Sequence, residues 1–242
     1  MKLNCDLGES FGAWTMGLDE QAMEHIDQAN IACGFHAGDP LVMQQTLALA
    51  KQHNVEIGAH PGYPDLVGFG RRSVHCSEKE IIALLCYQIA ALDGMAKNQN
   101  LELSYVKPHG ALYNDMMAND SVRAAVMKAV ASYHKPLTLM LQATPAISVH
   151  KAEAKALGLT LLAEAFADRC YDDDGKLLAR SKAGAVLNKV AMLKQVQQLK
   201  EHGTVTTING YILPLNPDSL CVHGDNEAGV LAMKEIKMLI NS

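Results

Sequence analysis

Six cysteines are spread through the chain at positions 5, 33, 76, 86, 170 and 221, and no two form a CxxC pair or a zinc-finger spacing. The opening residues, Met1 to Asp6, contain no apolar central region and no small-residue cleavage site, so they do not read as a signal peptide. Reduced thiols and a cytoplasmic location are therefore expected. No uninterrupted apolar run approaches the roughly 20 residues that a membrane helix needs, so no membrane role is expected. Lys and Arg are not clustered and the formal net charge is −5, which argues against a nucleic-acid partner.

Several catalytic signatures are also missing. There is no G-x-x-x-x-G-K-[ST] phosphate loop, no G-x-G-x-x-G after a strand and no H-E-x-x-H. No G-x-S-x-G nucleophile elbow occurs. Internal repeats, low-complexity tracts and Pro/Gly/Ser linkers are absent, so residues 1–242 are expected to form one domain.

What is present is a chain 49% hydrophobic and 19% charged, enough apolar material for a large core. Short apolar runs predict strands at 2–5, 28–32, 55–59, 103–106, 136–141, 159–163 and 219–222. Helical patterns lie between them. Asp19 is expected to cap a helix to about 26, and Asp39 with Pro40 to open one to about 53. Ser77-Glu78-Lys79-Glu80 reads as a capping box for a helix to about 98. Further helices are expected from 111, from a cap near Asp120, and from Thr144-Pro145 to about 158. Asn188 is expected to cap another that Gly203 stops, and a last helix runs to about 240. Asn209-Gly210 marks a hairpin within 205–215.

Polar motifs follow at least six strands, at 6–9, 36–39, 60–65, 107–109, 164–169 and 223–225. In an open doubly wound sheet they would gather at one switch point. Spread over nearly all strand ends, they fit a closed barrel whose ends share one pocket. The expected fold is α/β, a TIM-like, seven-stranded β/α barrel.

Four of the ten histidines, His36, His60, His109 and His223, fall just after predicted strands and are expected to share a site. Those at 25, 53, 134 and 202 lie in or at the ends of helices and read as solvent-facing. Asp6, Glu9, Asp39, Glu164, Asp168 and Asp225 have two readings: orienting groups and acid–base catalysts, or metal ligands beside the histidines. Asp39 and Asp225 also suit helix caps. Asp172 to Asp174 read as a solvated turn. Period-two alternation puts Asn4 and Asp6 on one face. Lys107 and His109 share a side, and a lysine there needs an anion or a carboxylate partner. Arg169, beside Asp168, has the same two readings. Arg71 and Arg72, in a Gly-rich loop, suit bidentate capture of a carboxylate or phosphate. Cys5, Cys33 and Cys221 sit at strand ends, where small buried thiols are the common outcome.

These motifs together carry a resemblance. Asn4-Cys5-Asp6-Leu7-Gly8-Glu9, His36-Ala37-Gly38-Asp39-Pro40, His60-Pro61-Gly62 and Lys107-Pro108-His109-Gly110-Ala111-Leu112-Tyr113 resemble the LamB/YcsF family. So do Glu164-Ala165-Phe166-Ala167-Asp168-Arg169 and Cys221-Val222-His223-Gly224-Asp225, in family order over residues 4 to about 225. The resemblance implies a distorted seven-stranded β/α barrel similar to that of carbohydrate deacetylases. It implies opening of the lactam of 5-oxo-L-proline to L-glutamate, coupled to ATP hydrolysis, with two partner subunits, B and C. Magnesium would accompany the ATP. Under it the candidate catalytic groups are Asp6, Glu9, His36, His60, Lys107, His109, Glu164, Asp168 and His223. Asn4, Arg71, Arg72, Arg169 and Asp225 are candidates for substrate or phosphate binding. The missing phosphate loop leaves the nucleotide to strand-end loops or to the partners. No H-x-x-x-H pair is present, which weakens a zinc deacetylase reading. The competing expectations are a metal-dependent amide hydrolase and a non-catalytic, substrate-holding subunit.

Overall fold

The computed structural model describes residues 1–242. Six parallel strands, β1 (Lys2–Leu7), β2 (Gln28–Ala32), β3 (Glu56–His60), β4 (Leu103–Val106), β5 (Thr138–Gln142) and β6 (Thr160–Phe166), neighbour one another in chain order. A separate antiparallel hairpin, β7 (Thr204–Thr206) with β8 (Ile212–Pro214), follows. The last strand, β9 (Ser219–Val222), pairs in parallel with both β6 and β1 and closes a seven-stranded barrel. The expected fold is the one observed.

Eight helices accompany these strands, seven between them and one after β9: α1 (Asp19–Met23), α2 (Pro40–His53), α3 (Glu78–Asn98), α4 (Gly110–Ala118), α5 (Asp120–Ala131), α6 (Ile147–Ala156), α7 (Lys189–His202) and α8 (Glu227–Asn241). Asp39 Oδ1 accepts from the Leu41 and Val42 amides at 2.8 and 3.0 Å, as an N-cap should. The Ser77–Glu80 capping box forms, Asn188 caps α7, and Gly203 ends it with φ of 65°.

The cap expected near Asp120 is Asn119, whose side-chain oxygen accepts from the Ser121 and Val122 amides. Three other helix-end expectations are corrected. Asp19 lies inside α1, and its carboxylate accepts from the Gly8 amide at 2.8 Å, tying that helix to the exit of β1. Thr144-Pro145 forms a turn closed by the Ile147 amide on the Thr144 carbonyl, so α6 starts two residues later with no side-chain cap. Asn226, not Asp225, caps α8, since Asp225 is drawn away by two arginines.

The barrel strands are buried on both faces, but the faces differ. Leu3, Cys5, Leu7, Ala29, Ile31, Ile57, Ala59, Leu139, Leu141, Ala163, Ala165, Leu220 and Val222 join one apolar core with the helices. Many of the alternate positions are polar and meet across the lumen. Asn4 Nδ2 donates to Ser219 Oγ, and Asn30 Nδ2 to Asn4 Oδ1 and Asp6 Oδ1, each at 2.8 Å. Ser219 Oγ donates to Gln28 Oε1 at 2.8 Å and Tyr105 OH to Asn30 Oδ1 at 2.7 Å. Buried polar groups persist only when so paired. Gly58 admits the Tyr105 ring: a Cβ there would lie 2.1 Å from Tyr105 Cε2.

Candidate active site

The strand exits surround a cavity of about 420 Å³ lined by Asp6, His60, Lys107, His109, Arg169 and His223, among others. Its floor is Lys107. The β4 exit is held against β3 by the Lys107 amide on the Ala59 carbonyl, at 2.8 Å, which turns the side chain inward. There Nζ donates to Asp6 Oδ1 at 2.8 Å, to Asn4 Oδ1 at 3.4 Å and to Cys221 Sγ at 3.2 Å. Glu164 Oε1 lies 2.8 Å from Nζ as a charge contact, and its Oε2 accepts from Tyr113 OH at 2.9 Å. Burial lowers the Lys107 pKa, but Asp6, Cys221 and Glu164 outweigh it and hold the ammonium well above its ordinary value. Burial likewise raises Asp6, and Lys107, His60 and His223 together hold it well below the usual carboxylate range.

Beside this floor stands a cluster of imidazoles. His36 and His109 stack with ring centroids 3.7 Å apart and planes 5° from parallel, and His60 meets both edge-on. His60 Nδ1 lies 2.7 Å from the Lys107 carbonyl, and His109 Nε2 lies 2.9 Å from the Phe69 carbonyl. Glu9 Oε1 is 3.6 Å from His36 Nε2 and 3.5 Å from His109 Nδ1. Burial pushes His36 down to about 3, and burial with His36 as a neighbour pushes His109 to about 3. Burial raises Glu9 to about 7, with His109 opposing it. Gly70, at φ of 61°, lets the 66–72 loop cover the stack: a Cβ would come within 2.7 Å of His36 Cβ and 2.9 Å of His109 Cδ2.

On the other side, His223 Nδ1 donates to Asp168 Oδ1 at 3.0 Å, and Asn226 Nδ2 donates to Asp168 Oδ2 at 3.0 Å. At the rim, Asp225 is bridged by Arg71 and by Arg180 from the excursion after β6. Arg169 also lines the cavity, but its guanidinium donates to the Ala185 and Leu178 carbonyls and so holds that excursion in place.

Of the fourteen residues singled out from the sequence, Asn4, Asp6, Lys107 and Glu164 meet at the floor. Glu9, His36, His60 and His109 form the imidazole cluster. Asp168 with His223, and Arg71 with Asp225, occupy the wall and rim. His223 thus sits apart from the three other strand-end histidines. Arg72 is brought to neither: it pairs with Asp65 within its own loop and points to solvent. Asn30, Tyr105, Tyr113, Arg180 and Asn226 were not anticipated. Asn30, two residues after Gln28 in an otherwise apolar strand, and Tyr105, two before Lys107, carried a period-two polar signal that marks an inward face. Two sets of donor atoms have ligand-like spacing: Glu9, His36, His60 and His109; and Asp6, Cys221 and His223.

The comparisons with known proteins agree with this architecture. The LamB/YcsF family model matches residues 1–242. A protein of Vibrio campbellii named as the A subunit of 5-oxoprolinase is 52% identical over 238 residues, covering 98% of this chain and 94% of that one. A Pseudomonas fluorescens protein of the same name is 50% identical over 240 residues, covering 99% and 96%. The crystal structure of the lactam utilization protein from Thermus thermophilus superposes with a TM-score of 0.87 at 36% identity, covering 99% and 94%. An Enterococcus faecalis putative cellobiose-phosphate cleavage protein shares only the fold, at a TM-score of 0.51 and 11% identity over 100% of this chain and 90% of that one.

Proposed function

The chain belongs to the LamB/YcsF family, and on that premise we propose that it is one of the three subunits, the A component, of an ATP-dependent 5-oxoprolinase. Together with 5-oxoprolinase subunits B and C it would open the lactam of 5-oxo-L-proline to L-glutamate, with ATP going to ADP and phosphate. The names carried by its relatives and by the Thermus protein support the substrate class. The observation that carries the chemistry is the Lys107 ammonium, held between Asp6 and Glu164 at the floor of the strand-end cavity.

A lactam is a stabilised amide and a poor electrophile. In the proposed sequence the ring oxygen takes the γ-phosphoryl group of ATP and ADP departs. Water then adds to the activated carbon, the ring C–N bond breaks, and the nitrogen takes a proton. A second water releases phosphate and leaves the γ-carboxylate. The steps need a base for water, an acid for the nitrogen and a cation for the developing oxyanion. Lys107 is the cation. Glu9, with a pKa near 7, and the neutral imidazoles of His60 and His109 are suited to moving protons. His223, oriented by Asp168, is a second proton carrier on the opposite wall. Arg71 and Arg180 at the rim suit the substrate carboxylate or a phosphate. With no phosphate loop in this chain, the nucleotide and its magnesium are assigned mainly to the partner subunits.

The test is an ATP-dependent glutamate-release assay on 5-oxo-L-proline, with this chain alone and with B and C added. Turnover is expected only from the assembled subunits, and Lys107→Met in this chain should abolish it. Full activity from an assembly carrying His109→Ala would instead give this chain a purely substrate-holding role. The spacing of Glu9 and the three histidines favours, as a second reading, a metal-dependent amide hydrolase. Turnover that needs a metal but no ATP would select it.

A further inference from the structure

The hydrogen-bond bookkeeping of the imidazole cluster does not close with the protein's own atoms. A backbone carbonyl only accepts, so the Lys107 carbonyl 2.7 Å from His60 Nδ1 fixes the proton on that nitrogen. The Phe69 carbonyl 2.9 Å from His109 Nε2 fixes the proton there in the same way. Both neutral rings then turn bare nitrogens toward each other: His60 Nε2 and His109 Nδ1 are 3.0 Å apart. Two lone pairs face one another on side chains that are almost wholly buried. Glu9 Oε1 points at the same spot and has no hydrogen-bond donor, and neither nitrogen of the buried His36 has a partner. Unpartnered buried groups of this kind are rare and destabilising.

A single added proton would join His60 to His109 and leave Glu9 Oε1 and His36 unmet. A cation at the centre would meet Glu9 Oε1, one nitrogen each of His60 and His109 and, once the His36 ring turns out of its stack on His109, one nitrogen of His36, leaving only the other His36 nitrogen unmet. One donor atom from each of Glu9, His36, His60 and His109 lies within 4.8 Å of the others. The separations of 3.0, 3.5 and 3.6 Å bracket the roughly 3.3 Å between neighbouring ligands of a tetrahedral ion with 2.0–2.1 Å bonds. The two carbonyl-bound ring N–H groups are the outer-shell contacts that fix metal-binding imidazoles. The other set, Asp6, Cys221 and His223, is unsuitable, because the Lys107 ammonium already contacts Asp6 and Cys221.

We propose that Glu9, His36, His60 and His109 form a site for one divalent transition-metal ion of the zinc class, at the wall of the strand-end cavity. Three imidazoles and one carboxylate, without sulfur, suit zinc, cobalt(II) or manganese(II). His60 and His109 also line the cavity, so the ion would adjoin bound substrate. The site stands on these contacts and not on the lactam reading; with the ion bound, Glu9, His60 and His109 would hold it, and proton transfer would fall to His223 on the opposite wall.

Its test needs no turnover. The full chain is stripped with chelator, loaded separately with zinc, cobalt(II) and manganese(II), dialysed, and assayed for metal by mass spectrometry. About one ion per chain should be retained, and cobalt should give the visible absorption of a nitrogen–oxygen site. Glu9→Gln and His36→Asn should each lower the affinity at least tenfold and alter the cobalt spectrum, whereas His134→Asn, at a solvent-exposed histidine, should change neither. Failure of the wild-type chain to retain any of the three metals would overturn the proposal. So would a cobalt spectrum indifferent to both Glu9→Gln and His36→Asn. Neither outcome bears on whether the assembled subunits release glutamate.

Discussion

Lys107 Nζ sits 2.8 Å from Asp6 Oδ1, and both side chains are sealed almost completely from solvent. They come from the exit of β4 and from β1, strands that are not neighbours in the sheet, so the pair spans the barrel lumen. Lys107→Met would strand Asp6 and Glu164 as unpaired buried carboxylates. Removing one partner of a buried ion pair costs about 3–5 kcal/mol, and urea denaturation should show a loss of that order. The double variant Lys107→Met/Asp6→Asn should recover part of it, and both should be inactive in the assembled subunits.

Gly58→Ala should destabilise the chain without touching the cavity. The added methyl would collide with the Tyr105 ring, whose hydroxyl is committed to Asn30. Overpacking of this kind costs about 1–3 kcal/mol. Thermal unfolding should report it, and Gly58→Ala/Tyr105→Leu should relieve the clash while losing the Asn30 contact.

Arg71 and Arg72 are adjacent in sequence but do different things. Arg71 lines the cavity and pairs with Asp225, whereas Arg72 pairs with Asp65 on the outside of the loop. On the proposed lactam reading, Arg71→Ala should raise KM for 5-oxo-L-proline about tenfold, the contribution of one charge-assisted hydrogen bond. Arg72→Ala should leave KM unchanged. Steady-state kinetics of the assembled subunits separates the two.

Asp93 predicts an acid-sensitive contribution to stability remote from the cavity. Burial raises its carboxyl pKa, but hydrogen bonds from Lys135 Nζ at 2.7 Å and Tyr133 OH at 3.0 Å outweigh this and hold it below its ordinary value. The unfolded chain therefore binds the proton more readily than the folded one. The stabilisation is fully present above the ordinary aspartate range, near 3.9, and is lost as pH falls through the lower folded value. The stability gap between wild type and Asp93→Asn should be widest near neutral pH and close progressively below about pH 4. Urea midpoints across that range test it.

Much of this was legible in local pattern. The strands 28–32, 103–106 and 219–222 fall where their apolar runs end in Gly, Pro or charged residues, because each run is buried on both sides. Asp39-Pro40 and Ser77–Glu80 announce helices through contacts only two or three residues long. The clustering of His36, His60 and His109 followed from equal placement after consecutive strands. Long-range partnerships were not legible. Nothing local says that His223 will turn to Asp168 and away from the other histidines, or that Asp225 will serve Arg71 and Arg180 while Asn226 caps α8. The polar lumen was half visible, in Asn4 and Asp6. Its completion by Asn30, Tyr105 and Ser219 depends on register between strands far apart in the chain.

The place of β9 between β6 and β1 has a consequence for biosynthesis. A ribosome delivers β1 first and β9 almost last, only 20 residues before the end of the chain. Until residue 222 emerges, the sheet has two free edges, at β1 and β6. Through that interval the carboxylates of Asp6 and Glu164 belong to opposite edges of an open sheet, and the ammonium of Lys107 has no closed lumen to hold it. The lumen around these charged groups therefore cannot close before β9 docks between β6 and β1.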